Sequence, residues 1–150
     1  MEISQIGVDV GGTNIRIGYG RRAGDLMGFE RVPSEKILGG HARPWEALAG
    51  LIRDYAERKG IREKLKAAAI GLPAALSADR KRILQAPNLD GLDGVPMGEL
   101  LETDLGIPVY LEKDVNMIFQ NDSRGMEYEG LAAGIYIGTG IGNAVFCRGK

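Results

Sequence analysis

Apolar and polar residues alternate at every second position in two stretches near the start of the chain, and that period predicts strands. They are residues 3–9, ISQIGVD, and 14–20, NIRIGYG; in the second, Ile15 and Ile17 alternate with Asn14, Arg16 and Gly18. A third strand over Leu26 to Val32 follows the polar turn RRAGD, so the opening reads as a meander. The period then changes. From Pro44 to Lys59 the residues Trp45, Leu48, Leu51, Ile52 and Tyr55 recur at helical spacing and are expected to face the core. Pro44 suits the first turn of that helix, Glu46 its positive end, and Gly60 its stop. Residues 67–73, AAAIGLP, are a short apolar run closed by Pro73, which predicts a parallel strand buried on both faces.

A polar hairpin-like segment follows, LSADRKRILQ, and then a loop, APNLDGLDGVP, whose Pro, Gly, Asn and Asp favour turns. Gly98 to Thr103 predicts one or two helical turns, and IPVYLE (107–112) another strand. DVNMIFQND (114–122) starts a helix with Val115, Ile118 and Phe119 on its apolar face. The closing stretch AGIYIGTGIGNAVFCRG repeats the opening grammar of strand, glycine-rich turn and strand. The order β-β-β-α-β-α-β-α, with a terminal β-hairpin, indicates a mixed α/β layer architecture.

Composition narrows the function classes. With 150 residues, 44% of them hydrophobic and 26% charged, the chain has the balance of a globular domain. A formal net charge of −1 gives no electrostatic reason to expect nucleic acid or an anionic membrane as partner. The apolar runs are too short for a spanning helix of roughly 20 residues, and MEISQIG does not open like a secretory signal. The single cysteine, Cys147, cannot form an internal disulfide or a cysteine-based zinc site. A cytoplasmic location is expected. Glycine is the outlier, at 23 residues, and points to tight turns or close backbone approaches.

Two of those turns could carry chemistry. Turn one is Asp9-Val-Gly-Gly-Thr-Asn and turn two is Gly138-Thr-Gly-Ile-Gly-Asn143. Each is readable as an ordinary hairpin turn in which glycine supplies positive φ. Each is also readable as a concavity of exposed backbone N–H groups that binds an anion, with Thr or Asn adding a donor. The pair, with Asp9 at the lip of the first, favours a polyphosphate gripped from two sides. Turn two lacks the third glycine of G-x-G-x-x-G and leads into a strand, and no G-x-x-x-x-G-K-[ST] occurs, so neither dinucleotide fold nor P-loop is indicated. Asp114 stands where a strand ends and a helix begins: a crevice position in α/β folds, and equally a helix N-cap. Asn116 and Asn88 supply amides that a sugar's hydroxyls could use, although Asn88 also suits a plain turn.

GVDVGGTNIRIG, APNL, EKDVN and YIGTGIGNAV, in that order and spacing, resemble the ROK family of sugar kinases and repressors. The resemblance covers nearly the whole chain. It implies the ribonuclease H-like fold of the actin/hexokinase/Hsp70 ATPases, with a mixed five-stranded sheet and flanking helices. Residues 1–125 would be an N-terminal ATPase-like subdomain and 126–150 the first hairpin of a C-terminal one. GLPAALSADRKRILQAPNL is most similar to the D-allose kinase branch. The implied activity is ATP-dependent phosphorylation of a hexose hydroxyl, D-allose or a similar aldohexose, with a non-catalytic sugar-binding fragment or a ROK-type repressor as alternatives. By position, Asp9 would orient Mg²⁺ through water; Gly11, Gly12, Thr13 and Asn14 would be the first phosphate loop, and Thr139, Gly140 and Gly142 the second. Asp114 would be the general base, and Asn88, Asn116 and Asp114 would contact the sugar. The family more often has Asn-Asp-Ala-Asn where this chain has Lys113-Asp114-Val115-Asn116, so one sugar contact differs.

The family's structural zinc site and adenine pocket are expected beyond Lys150, and His41 is expected to be plain surface. The chain reads as the N-terminal half of a kinase, weak or inactive by itself. Ile135, Ile137, Val145 and Phe146 of the terminal hairpin are expected to need a partner surface, met by a homodimer.

Overall fold

The computed structural model describes residues 4–22, 24–137 and 140–147. The opening meander forms as its alternation predicts: β1 (Ser4–Val10), β2 (Asn14–Gly20) and β3 (Met27–Pro33) pair antiparallel in sequence order. A short helix, α1 (Ser34–Leu38), follows; the hydrophobic pattern did not announce it because five residues carry no full helical period. Helix α2 spans Pro44–Arg58 with Pro44 at its start, and Gly60 beyond its end takes the left-handed φ of 63° that ends a helix. Of its apolar stripe, Leu48, Ile52 and Tyr55 are fully buried, whereas Trp45 and Leu51 lie at the margin of the core.

After a single 3-10 turn (Arg62–Lys64) come β4 (Leu65–Leu72) and the small hairpin β5 (Ala75–Leu76) and β6 (Ile83–Gln85). Helix α3 (Met97–Leu105), β7 (Val109–Lys113) and α4 (Asp114–Asp122) complete the layer. The sheet order is β3-β2-β1-β4-β7, with β4 parallel to both neighbours. The expected mixed five-stranded sheet is thus present, and α3 is longer than one or two turns, closed by Gly106 at φ 69°.

Ile6, Val8, Val10, Ile15, Ile17, Ala68, Ile70, Leu72, Val109 and Leu111 all point to one face, where α2 and α3 bury them. The opposite face mixes small residues, Gly7, Ala67, Ala69 and Gly71, with Asp9, Arg16, Tyr110 and Glu112. Here one expectation is corrected: β4 is parallel but not buried on both sides, because Ala67 and Ala69 are only half-buried. The run of alanines looks apolar in sequence, yet on this face α4 covers only the Gly71 end of the strand.

The last two strands, β8 (Leu131–Ile137) and β9 (Ile141–Cys147), form a separate antiparallel hairpin. One row of it, including Tyr136, Ala144 and Phe146, packs on Val115 and Phe119 of α4. Phe146 and Phe119 stack with centroids 5.0 Å apart. Phe146 therefore has its partner within the chain, contrary to the expectation that grouped it with Ile135, Ile137 and Val145. Period 2 puts it on the other face from those three, which are exposed.

Candidate functional site

Register brings the two carboxylates together. Asp9 on β1 pairs with Gly71 on β4, and Gly71 pairs with Glu112 on β7, so all three stand in one row on the face away from α2 and α3. Two strand spacings separate Asp9 from Glu112, roughly 10 Å. Asp114 begins α4 two residues after Glu112, and the helix folds back over the gap. A Cβ placed on Gly71 would stand 3.7 Å from the Asp114 Cα and 2.9 Å from the Met117 sulfur. The first is an ordinary contact and the second needs only the flexible Met117 side chain to shift, so α4 begins directly over this row of the sheet. Asp9 and Asp114 consequently line one cleft of about 330 Å³, whose other walls include Arg16, Ile17, Leu26, Phe29 and Ile118.

Asp9 is half-exposed and accepts a hydrogen bond from Arg16 Nη1 at 2.6 Å across the β1–β2 pair. Asp114 is the first residue of α4, with Lys113 in the N-cap position. Its Oδ1 accepts the Val115 N–H at 2.7 Å, so one oxygen serves the helix start. The other carboxylate oxygen meets no donor among the described residues and is free to face the cleft. Asp114 therefore does not take the N-cap position its residue type suggested, which Lys113 holds; it is the first helical residue.

Turn one is braced from outside. The Gly11 N–H donates to the Asn14 carbonyl at 3.0 Å, the Ser34 N–H to the Thr13 carbonyl at 3.0 Å, and the Ser34 hydroxyl to the Gly11 carbonyl at 2.5 Å. Ser34 is itself buried, 3% exposed, at the start of α1. Gly12 and Thr13 are exposed, and their N–H groups meet no acceptor among the described residues. Neither Gly11 nor Gly12 has positive φ, which corrects the expectation that glycine is there for a left-handed turn. Close approach favours Gly11 instead, since a Cβ would lie a tight 3.0 Å from the Asn14 carbonyl oxygen.

The other expected residues fall in different places. Thr139, with Gly138, lies outside the described residues. Gly140 has open space around it, whereas Gly142 faces α4, and a Cβ there would overlap Val115 Cγ1. Asn88 is exposed and lies against turn one, where a Cβ on Gly12 would be 3.6 Å from the Asn88 Cβ. Asn116 instead donates from Nδ2 to Glu112 Oε1 at 2.9 Å and lines a second cleft of about 630 Å³ with Ser77, Arg80, Pro87 and Lys113. Arg80 pairs there with Glu112, whose side chain is 13% exposed. Asp114, Asn88 and Asn116 are thus not gathered in one cavity; the β7–α4 junction, carrying Lys113 and Asp114, separates the two clefts.

Ser34, Gly71, Glu112 and Arg16 escaped notice in sequence. Pro33-Ser34-Glu35 is a helix-start signal that could have flagged the first. Gly71 gave no signal beyond an isolated glycine in a strand, which marks a close backbone approach.

The family model described as the ROK family matches residues 5–150. N-acetyl-D-glucosamine kinase of Vibrio cholerae is 30% identical over 149 residues, 96% of this chain and 46% of that protein. A ROK family glucokinase from Streptomyces griseus, solved in complex with glucose and AMPPNP, superposes with a TM-score of 0.77 at 26% identity. That match covers 98% of this chain and 45% of the other. A ROK family transcriptional regulator, a homolog of the E. coli MLC protein, shares the fold with a TM-score of 0.81 at 14% identity, over 100% of this chain and 38% of its own. The chain spans about half the length of the kinases it matches. With the family model covering almost every residue and the glycine turn, the APNL loop and the Asp114 helix start in place, this chain belongs to the ROK family.

Proposed function

We propose that this chain carries the phosphate-turn and base-bearing portion of an ATP-dependent sugar kinase. The observation that carries the reading is the placement of Asp9 and Asp114 on one cleft across Gly71, beside a turn with uncommitted N–H groups. Fold alone would suit a repressor equally; a repressor needs no second carboxylate facing the first.

The residues suit a hydrated Mg²⁺ and a triphosphate. No group of three or more His, Cys, Asp or Glu forms a metal cage among the described residues. Mg²⁺ typically takes one or two carboxylates, several waters and the substrate's own phosphates, and Asp9 fits that role. When bound, Mg²⁺ supplies charge neutralisation to the phosphate oxygens. The N–H groups of Gly12 and Thr13 would donate to those oxygens, adding fixed positive dipoles where charge develops. The free Asp114 oxygen would accept the proton of the acceptor hydroxyl as the sugar's hydroxyl oxygen bonds to the γ-phosphorus. The bond from phosphorus to the bridging oxygen then breaks and ADP leaves with its electrons. Aldohexoses are the acceptor class, with D-allose favoured by the similarity of residues 71–89 to that branch.

The test is Asp114→Asn in a coupled ADP-release assay over a panel of aldohexoses, run on this chain and on longer versions of it. Sugar binding should persist while turnover falls by about 10²–10⁴-fold. Near-normal turnover would remove Asp114 from the mechanism.

A further inference from the structure

Arg16 is a cation lining the cleft of Asp9 and Asp114 that the reading above does not use. It stands on β2 directly across from Asp9 on β1, and paired residues share a face of the sheet. One Nη1 N–H reaches Asp9 Oδ2 at 2.6 Å. The remaining N–H groups of the guanidinium meet no acceptor among the described residues. Arg16 is the only cation among the cleft's described lining residues, which also include Asp9 and Asp114. Its side chain is 50% exposed and that of Asp9 44%. An ion pair this open to water is weakly held and is readily exchanged for a better partner.

A triphosphate entering this cleft would meet two carboxylates and one guanidinium. The guanidinium is a planar fork of donors that matches two phosphate oxygens at once, a geometry an ammonium cannot reproduce. We propose that Arg16 is a phosphate-binding residue that exchanges Asp9 for the terminal phosphoryl group of a bound nucleotide. Arg16 thereby distinguishes triphosphate from diphosphate. The exchange also frees Asp9 Oδ2, so that both carboxylate oxygens would be available to water on a bound Mg²⁺. This inference rests on the kinase reading. Placing the guanidinium there puts fixed positive charge on the group whose oxygens gain charge during transfer.

Isothermal titration of the whole chain with Mg·AMPPNP and with Mg·ADP tests it, on the wild type, Arg16→Ala and Arg16→Lys. Melting temperatures without nucleotide confirm that each variant folds. Loss of a charge-assisted pair should weaken Mg·AMPPNP by about 10- to 100-fold in Arg16→Ala and leave Mg·ADP within about threefold. Arg16→Lys should recover only part of the preference, because it keeps the charge without the fork. Should Arg16→Ala not fold, Arg16→Lys decides alone, through a reduced ratio of AMPPNP to ADP affinity. An unchanged ratio in the variants, or equal loss for both nucleotides, overturns the role of Arg16 and leaves the kinase reading standing. Because the chain spans about half the length of the kinases it matches, the same titrations are run on a longer version of it, and a longer wild-type protein that binds neither nucleotide takes down the kinase reading itself.

Discussion

Gly142→Ala isolates what holds the terminal hairpin to the layer that bears Asp114. Gly142 lies on β9 opposite Tyr136 on β8. A Cβ there would overlap Val115 Cγ1 and stand 3.5 Å from the Val115 Cβ. Val115 is 7% exposed and sits in the first turn of α4. A valine in a helix has one strongly preferred χ1, so it cannot turn its methyl group away cheaply. Relief must come from backbone movement of the hairpin or of α4, at roughly 1–3 kcal/mol for one methyl group too many. The backbone at 142 is not left-handed. Alanine therefore recovers about 0.4–1 kcal/mol through the unfolded chain, leaving a net loss of about 1–2 kcal/mol. Val115→Ala alone removes two methyl groups and should cost about 2 kcal/mol. In the double variant the new methyl fills the space the valine left. The pair should then be more stable than the sum of the singles by about 1 kcal/mol or more. Urea midpoints by circular dichroism give the cycle, and amide exchange locates the loosened segment. Additivity within about 0.5 kcal/mol would refute the packing argument. A Gly142→Ala chain that is fully stable yet binds nucleotide less well than wild type would assign Gly142 to the phosphate turn instead.

Two further outcomes are expected. Ser34→Ala removes the buried hydroxyl that holds the Gly11 carbonyl and should cost about 1–2 kcal/mol in urea unfolding, with faster amide exchange at 11–14; unchanged exchange there would show that turn one holds itself. Hydrogen bonds from Arg58 and Lys59 lower the Glu30 carboxyl from 4.5 to about 2, so its contribution is complete above pH 4.5 and fades as pH falls toward 2. The ceiling is roughly 3 kcal/mol and partial solvent contact reduces it to about 1–2 kcal/mol. Glu30→Gln should therefore lower the urea midpoint at pH 6 and hardly at pH 2.5, and an equal effect at both would show that the ion pairs are not the cause.

Local patterns determined much of this protein. Alternation placed β1 and β2 to within a residue, helical spacing placed α2, and the strand-to-helix boundary at Asp114 was legible from residue types alone. So was the glycine turn behind Asp9. Each is a statement about neighbours a few residues apart, where the backbone's own period and cap chemistry decide. What those neighbours could not reveal was who meets whom across the chain. Ser34 braces Gly11 over 23 positions, Gly71 lies beneath the start of α4, and Gly142 packs against Val115. Phe146 and Val145 are adjacent and equally apolar, yet one is stacked on Phe119 and the other is exposed. Hydrophobicity along a sequence reports that a side chain wants cover; only the packed strands and helices determine which surface provides it, because that surface is assembled from segments far apart in the chain.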